Sequence, residues 1–283
     1  GSRGSSPHRP HKGHHPMKLG CSTLLYGLWS QDDALAGIAQ AGFDGIELAS
    51  IPNMGFHLWP ERMNMKILKK KLDSMGLVVE SIGGSGNDPY DSGPKSRFVE
   101  LMEAGGELGA TGITTGSGGE SGNAEDMKKA ADAINALVPT CKKTGVKVSI
   151  KPHVGGAVHN TPSSLEFMQL VDTDWIGLNV DPSHLWRAQP DWEVGEESIL
   201  KLADYIVTAR LRDTKGHQPG IGPVDTQVPG GGEMNLQACM DAFKKVPGLD
   251  MVTVEIVGTA NWSLEKIQDE VVQPTYDYLA KLV

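Results

Sequence analysis

The chain has 283 residues, 39% apolar and 22% charged, with 26 Lys and Arg against 35 Asp and Glu and a net charge of −9. Gly1 to Pro16, rich in Gly, Ser, Pro and His with three basic residues and no acid, reads as a leader or disordered tail, and the 267 residues from Met17 carry a charge of −12. That balance repels nucleic-acid phosphates and anionic lipid, no apolar run approaches the ~20 residues of a membrane-spanning helix, and a small neutral substrate fits it better.

From Met17 onward, short β-branched or apolar runs alternate with stretches of helical spacing. The predicted strands are Lys18 to Ser22, Gly45 to Ala49, Leu77 to Gly83, Gly112 to Gly116, Lys147 to His153, Ile176 to Asp181, Tyr205 to Asp213 and Met251 to Val257. The predicted helices between them are Asp32 to Ala41, Glu61 to Met75, Pro94 to Leu108, Ala124 to Thr144, Ser163 to Val171, Gly195 to Ala203, Leu236 to Val246 and Leu264 to Leu282. Ser30 and Thr161-Pro162 supply start signals, and Gly76, Gly109 and Gly145 stand where a left-handed residue would close a helix. Eight strict alternations imply an α/β fold with parallel strands, a single (β/α)8 TIM barrel over residues 17–283. The dinucleotide and P-loop fingerprints of an open sheet are missing: Gly116-Ser117-Gly118-Gly119 follows a strand but lacks the third glycine. Cys21, Cys141 and Cys239 are odd in number, without a C-x-x-C, so neither a disulfide framework nor a zinc cluster is indicated and a reducing cytoplasm is expected.

A barrel of this kind places its chemistry where the strands end at the C-terminal face. The polar residues there are Glu47, Lys151, His153, Asp181, His184, Arg210, Arg212, Asp213 and Glu255. Val148 to Ile150, Ile176 to Val180 and Met251 to Val254 are nearly continuous apolar runs, each delivering one charge as the chain leaves the barrel.

The segments Ala41-Gly42-Phe43-Asp44-Gly45-Ile46-Glu47-Leu48, Asp181-Pro182-Ser183-His184, Arg210-Leu211-Arg212-Asp213-Thr214 and Val254-Glu255 occur in this order at strand ends. In this the chain resembles the xylose-isomerase-like barrel superfamily of sugar isomerases, epimerases and related lyases, which also has an endonuclease branch. The resemblance implies a divalent metal held by a Glu ending the fifth strand, an Asp ending the sixth, a His on the seventh and a Glu on the eighth. The corresponding positions are Lys151, Asp181, Arg210 and Glu255, and two of the four depart from the pattern. Lysine and arginine are donors only and repel a cation, so the quartet is a poor metal cage but a neutral charge cluster.

The expectation is therefore a sugar or keto-sugar isomerase or epimerase that abstracts a proton next to a carbonyl with neither metal nor other cofactor. Lys151 and Arg210 would stabilise an enediolate oxygen, and Glu255 or Asp181 would carry the proton. Lys151 could also act as a base or form a Schiff base. His184, His153, Glu47 and Arg212 are candidate substrate contacts, with Trp59, Trp186 and Trp262 as apolar walls and His217 to Glu233 as a Gly- and Pro-rich lid. A lyase or dehydratase on a keto-sugar and a non-catalytic carbohydrate-binding protein are the alternatives. An endonuclease is disfavoured by acidity and by sparse histidines. No exposed apolar stripe establishes an oligomer, although such barrels often pair.

Overall fold

The computed structural model describes residues 16–283, so all of the proposed leader but Pro16 lies outside the described residues. Eight parallel strands form the barrel: β1 Lys18–Ser22, β2 Gly45–Ile51, β3 Val78–Gly83, β4 Gly112–Gly116, β5 Lys147–Lys151, β6 Ile176–Val180, β7 Ile206–Leu211 and β8 Met251–Val254. Each pairs with the next, and β1 pairs with both β2 and β8 (Gly20 opposite Gly45 and Thr253), which closes the sheet and leaves no barrel edge. A two-residue strand, Gly55–Phe56, folds back antiparallel on the end of β2.

The helices pack their apolar faces on the outside of this cylinder, and the buried side chains there, from Leu35 and Ile38 to Val271 and Val272, form one continuous core. Their ends follow the local chemistry closely. Ser30 caps Gln31–Ala41 by accepting from the Asp33 amide at 3.1 Å, and Gly42, Gly76, Gly109 and Gly145 all have positive φ where those helices stop. Two expected starts move inward because a better cap stands further along. Asn64 Oδ1 accepts from the amides of Lys66 and Ile67, so that helix is Met65–Ser74 rather than starting at Glu61, and Ser96 caps Arg97–Leu108.

Two long helices are interrupted at prolines. The stretch expected over 124–144 divides into Ala124–Asn135 and Val138–Thr144 because Pro139 has no N–H for the preceding turn. Similarly Pro274 separates Gln273–Leu279 from Leu264–Ile267 through a widened turn, Gln268–Val272. The lid region, expected to lack regular structure, contains one helical turn, Val224–Gln227. Among the described residues no helix is long and apolar enough to cross a membrane, and all three cysteines are buried and unpaired.

Inside the cylinder the filling is polar. Ser149, Asn179, Thr208 and Thr253 are fully buried, Ser149 and Thr208 share a 2.7 Å hydrogen bond, and neither side-chain atom of the Asn179 amide has a partner. Each stands two residues before one of Lys151, Asp181, Arg210 and Glu255, and so these four form a layer beneath those charges.

Candidate active site

The C-terminal ends of the strands assemble two charged layers. The lower is centred on Arg210 of β7, which is 0% exposed. Its guanidinium donates to Glu47 Oε2 at 2.6 Å, to Glu80 Oε1 at 2.9 Å and to Ser81 Oγ at 2.8 Å, and its Nε lies 3.6 Å from Glu255 Oε2. Glu47 is in turn held by Ser22 Oγ at 2.7 Å and Thr114 Oγ1 at 2.9 Å, so β1, β2, β3, β4 and β7 are tied across the barrel. Burial lifts the Glu80 carboxyl above its ordinary value against the pull of Arg210. Burial disfavours the Arg210 charge too, but Glu47, Glu80 and Glu255 outweigh it and make the guanidinium harder to deprotonate.

The upper layer faces a cavity of about 340 Å³ at the barrel mouth, whose walls include Lys151, His153, His184, Arg187, Arg212 and Glu255. Lys151 Nζ donates to both carboxylate oxygens of Glu255 at 2.9 Å, and both side chains retain a small exposed area, 12% and 13%. Asp181 caps the short helix Pro182–Trp186: its Oδ1 accepts from the Ser183 amide and hydroxyl, and its Oδ2 lies 3.2 Å from Arg212. Arg212 also donates to Ser183 Oγ at 2.9 Å and to His184 Nε2 at 3.0 Å, and the His153 and His184 rings lie 4.3 Å apart, tilted by 41°.

These contacts set the protonation states. Burial opposes ionisation of Glu255 and Asp181, but the cations around them prevail (Lys151, Arg212 and Arg210 for Glu255; Arg212 and Lys151 for Asp181) and hold both carboxyls below their ordinary values. Burial, then Arg212 and Lys151, push His184 well below 6.5, so its imidazole is neutral near pH 7. At the mouth, the groups ready to act are an ionised carboxylate, an ammonium and a neutral imidazole.

A roof completes the cavity. Pro219, Gly220 and Ile221 lie on its wall, held by Arg187 Nη1 donating to the Pro219 carbonyl at 2.7 Å and Gln189 donating to that of His217 at 2.7 Å. The far end of this loop hangs on Asp213, whose carboxylate accepts from the amides of Thr214, Gly230 and Met234. A Cβ at Gly232 would fall 2.2 Å from Asp213 Oδ1, which leaves no room for another residue. Two larger clefts, about 490 and 640 Å³, run among the outer helices and include none of the expected strand-end residues.

The structure thus brings Lys151 and Glu255 into contact beside Arg210, with Asp181 facing Arg212 rather than Arg210. Glu47 and Arg210 lie beneath the cavity and form no part of its wall. Trp186 and Trp262 also stand outside it: Trp186 packs on Trp192 and His217, while Trp262 lies under Lys266 at 4.0 Å. Trp59 packs on Phe56. Two charged participants are absent from the sequence-based set, Glu80 on β3 and Arg187, as are the hydroxyls of Ser22, Ser81 and Thr114. Glu80 was detectable as the one acid within an otherwise uncharged strand, Val79-Glu80-Ser81-Ile82; Arg187 carried no signal.

The donor set does not fit a divalent metal. Where the resemblance calls for oxygen and imidazole ligands, Lys151 and Arg210 present N–H groups to Glu255, the one acid that both would share with an ion. Among the described residues, no group of three or more His, Cys, Asp or Glu side chains is arranged to hold one.

Comparison with known proteins agrees with this architecture. An inosose dehydratase of Clostridium perfringens is 23% identical over 266 residues, covering 78% of this chain and 83% of its own. A D-allulose 3-epimerase from Methylomonas sp. superposes with a TM-score of 0.71 at 16% identity over 95% of this chain and 98% of that one. The zinc-bound IolI protein superposes with a TM-score of 0.73 at 19% identity over 94% and 99%. These structural likenesses show the fold. The family model described as xylose isomerase-like TIM barrel matches residues 35–273, and the chain belongs to that family.

Proposed function

We propose that the protein is an enzyme of keto-sugar chemistry that removes a proton from the carbon next to a carbonyl without a divalent metal. Glu255 is the base. It is ionised, sits on the cavity wall and takes the C–H proton, while the C–H pair forms a C=C bond and the C=O π pair moves to oxygen, giving an enediolate. Lys151 stabilises that oxygen: of its three N–H groups two point at Glu255, which leaves one for the substrate. His184 and Arg212 hold substrate hydroxyls, and Asp181 fixes Arg212. Arg210 acts as a positioning residue, holding Glu255 from below.

Return of the proton to the neighbouring carbon, with the hydroxyl proton of the enediolate passing to the former carbonyl oxygen, completes an isomerisation, and return to the opposite face of the same carbon an epimerisation. Protonation of a β-hydroxyl and loss of water would instead give a dehydratase, a second reading favoured by the inosose dehydratase among the relatives. The observation that carries the proposal is the Lys151–Glu255 pair on the wall of a roofed cavity.

The test is incubation with a panel of ketoses and cyclic keto-sugars in D₂O, with and without chelator, followed by NMR. Deuterium entering a carbon-bound position, unaffected by chelator, is the expected result; an added alkene signal identifies the dehydratase. Binding without exchange or elimination would mark a carbohydrate-binding protein, and loss of exchange with chelator would overturn metal independence.

A further inference from the structure

Arg187 is 2% exposed and lies on the cavity wall, yet among the described residues no carboxylate comes within 4 Å of it. Its neighbouring cations are paired: Lys151 with Glu255, Arg212 with Asp181, and Arg210 beneath them with Glu47 and Glu80. Arg187 has only neutral partners, the carbonyls of Ser183 at 3.1 Å and Pro219 at 2.7 Å and the Nδ1 of His184 at 3.4 Å.

The last of these contacts cannot hold at the same time as its counterpart. A neutral imidazole has one acceptor nitrogen, and His184 meets guanidinium groups at both: Arg212 at Nε2, 3.0 Å, and Arg187 at Nδ1, 3.4 Å. The shorter contact makes Nε2 the acceptor, so Nδ1 carries the proton and faces the Arg187 Nη2 donor to donor. Arg187 therefore has an unused N–H edge as well as an uncompensated charge. Burial and Arg212 pull its pKa down to about 10 against the opposing effect of Asp181, which still leaves it charged near neutral pH.

Counting the wall gives three cations, Lys151, Arg187 and Arg212, against Glu255, with Asp181 enclosed behind Arg212. Glu47 and Glu80 lie in the lower layer, both engaged by Arg210. Of the three wall cations, Arg187 is the one with no carboxylate within 4 Å among the described residues, and it faces the cavity. A buried charge without a partner is costly, so a ligand that supplies a single negative charge at this spot is strongly favoured over a neutral one.

We infer that the substrate is a keto-sugar acid, whose carboxylate is held by Arg187 while its carbonyl lies at Lys151 and Glu255. This rests on the proposed proton abstraction for the placement of the carbonyl, but the choice of a monoanion stands on Arg187 alone. A phosphate dianion would bring more charge than the wall leaves unpaired.

The probes are D-fructose, 2-keto-D-gluconate and D-fructose 6-phosphate, titrated by calorimetry into the wild-type protein, Arg187→Gln and Arg187→Lys, each sample also followed for deuterium uptake in D₂O. The wild-type protein should bind the acid about tenfold or more tightly than fructose, with a preference that weakens as salt rises. Arg187→Gln should bring the ratio of acid to fructose affinity to about one, whatever loosening of the roof does to both affinities, and Arg187→Lys should keep part of the preference. The order of affinities on wild-type protein decides the matter even if a variant fails to fold. Should the acid bind no more tightly than fructose at any absolute affinity, should the phosphate exceed the acid, or should the preference survive in Arg187→Gln, the inference falls. Deuterium uptake separates the two ideas: exchange of fructose without preference for the acid keeps the proton-abstraction chemistry and removes the anion site, whereas preference without exchange does the reverse.

Discussion

Replacing Arg210 by Met would strand Glu47 and Glu80 in a fully buried layer with only hydroxyl partners. Breaking such a pair by removing one member costs about 3–5 kcal/mol, which for a chain of this size lowers the thermal midpoint by roughly 10 °C. Adding Glu47→Gln and Glu80→Gln should recover much of that loss, and circular dichroism melts of the single and triple variants check it. The residues of the upper layer should behave differently. Lys151→Met is expected to reduce turnover by about 10²–10³-fold and Glu255→Gln by about 10²–10⁴-fold, mainly in kcat, measured as deuterium exchange on folded protein. A Lys151→Glu variant would set a second carboxylate beside Glu255, so its melting temperature should rise on adding Mn²⁺ while that of the wild type does not.

Among the elements, the loop over the mouth owes its position to side chains distant in sequence. Asp213→Asn puts an amide in place of one carboxylate oxygen and can no longer accept from all three backbone amides of Thr214, Gly230 and Met234. Leaving a buried donor unpaired costs about 1–3 kcal/mol, so limited proteolysis should cut within 215–233 faster in this variant, with KM rising more than kcat falls. Unchanged cleavage would mean that the roof is held by Arg187 and Gln189 alone. The elements themselves were largely readable because strand and helix periods are local properties, and so were the glycine stops at Gly76, Gly109 and Gly145. The misplaced helix starts have an equally local cause: Asn64 and Ser96 compete with earlier residues as caps, and only the folded geometry shows which side chain reaches the amides. Pro139 and Pro274 broke helices whose apolar period continues straight through them.

For the molecule as a whole, the buried histidines set the direction of acid sensitivity. His57 and His184 are 1% and 5% exposed, and burial lowers both below 6.5, so the unfolded chain binds more protons than the folded one as pH falls through that value. Stability should accordingly decline below about pH 6.5, and fall further below about pH 4.5 as the depressed carboxyls of Asp181 and Glu255 take up protons. Glu80 has the opposite sign, since its raised pKa makes the folded state the stronger proton binder above 4.5, and it offsets part of the loss. Thermal midpoints measured between about pH 4 and pH 8 check the net slope; a midpoint that rises on acidification would show that Glu80 dominates.

Eight alternations, their closure into a barrel and the delivery of charge to strand ends follow from local periodicity and from one rule of barrel architecture, and these were determined by the order of the amino acids alone. So was the mismatch of Lys151 and Arg210 with a metal, since residue type settles who can donate and who can accept. Only the tertiary structure decided how those charges are shared. It sank Arg210 and Glu47 below the cavity, turned Trp186 and Trp262 away from it, and recruited Glu80 and Arg187, because pairing across a cylinder depends on distances between strands that no single segment encodes. An acidic chain thereby lines its mouth with Lys151, Arg187 and Arg212: net charge sums over the surface, whereas binding responds to the few groups within ångströms of the ligand.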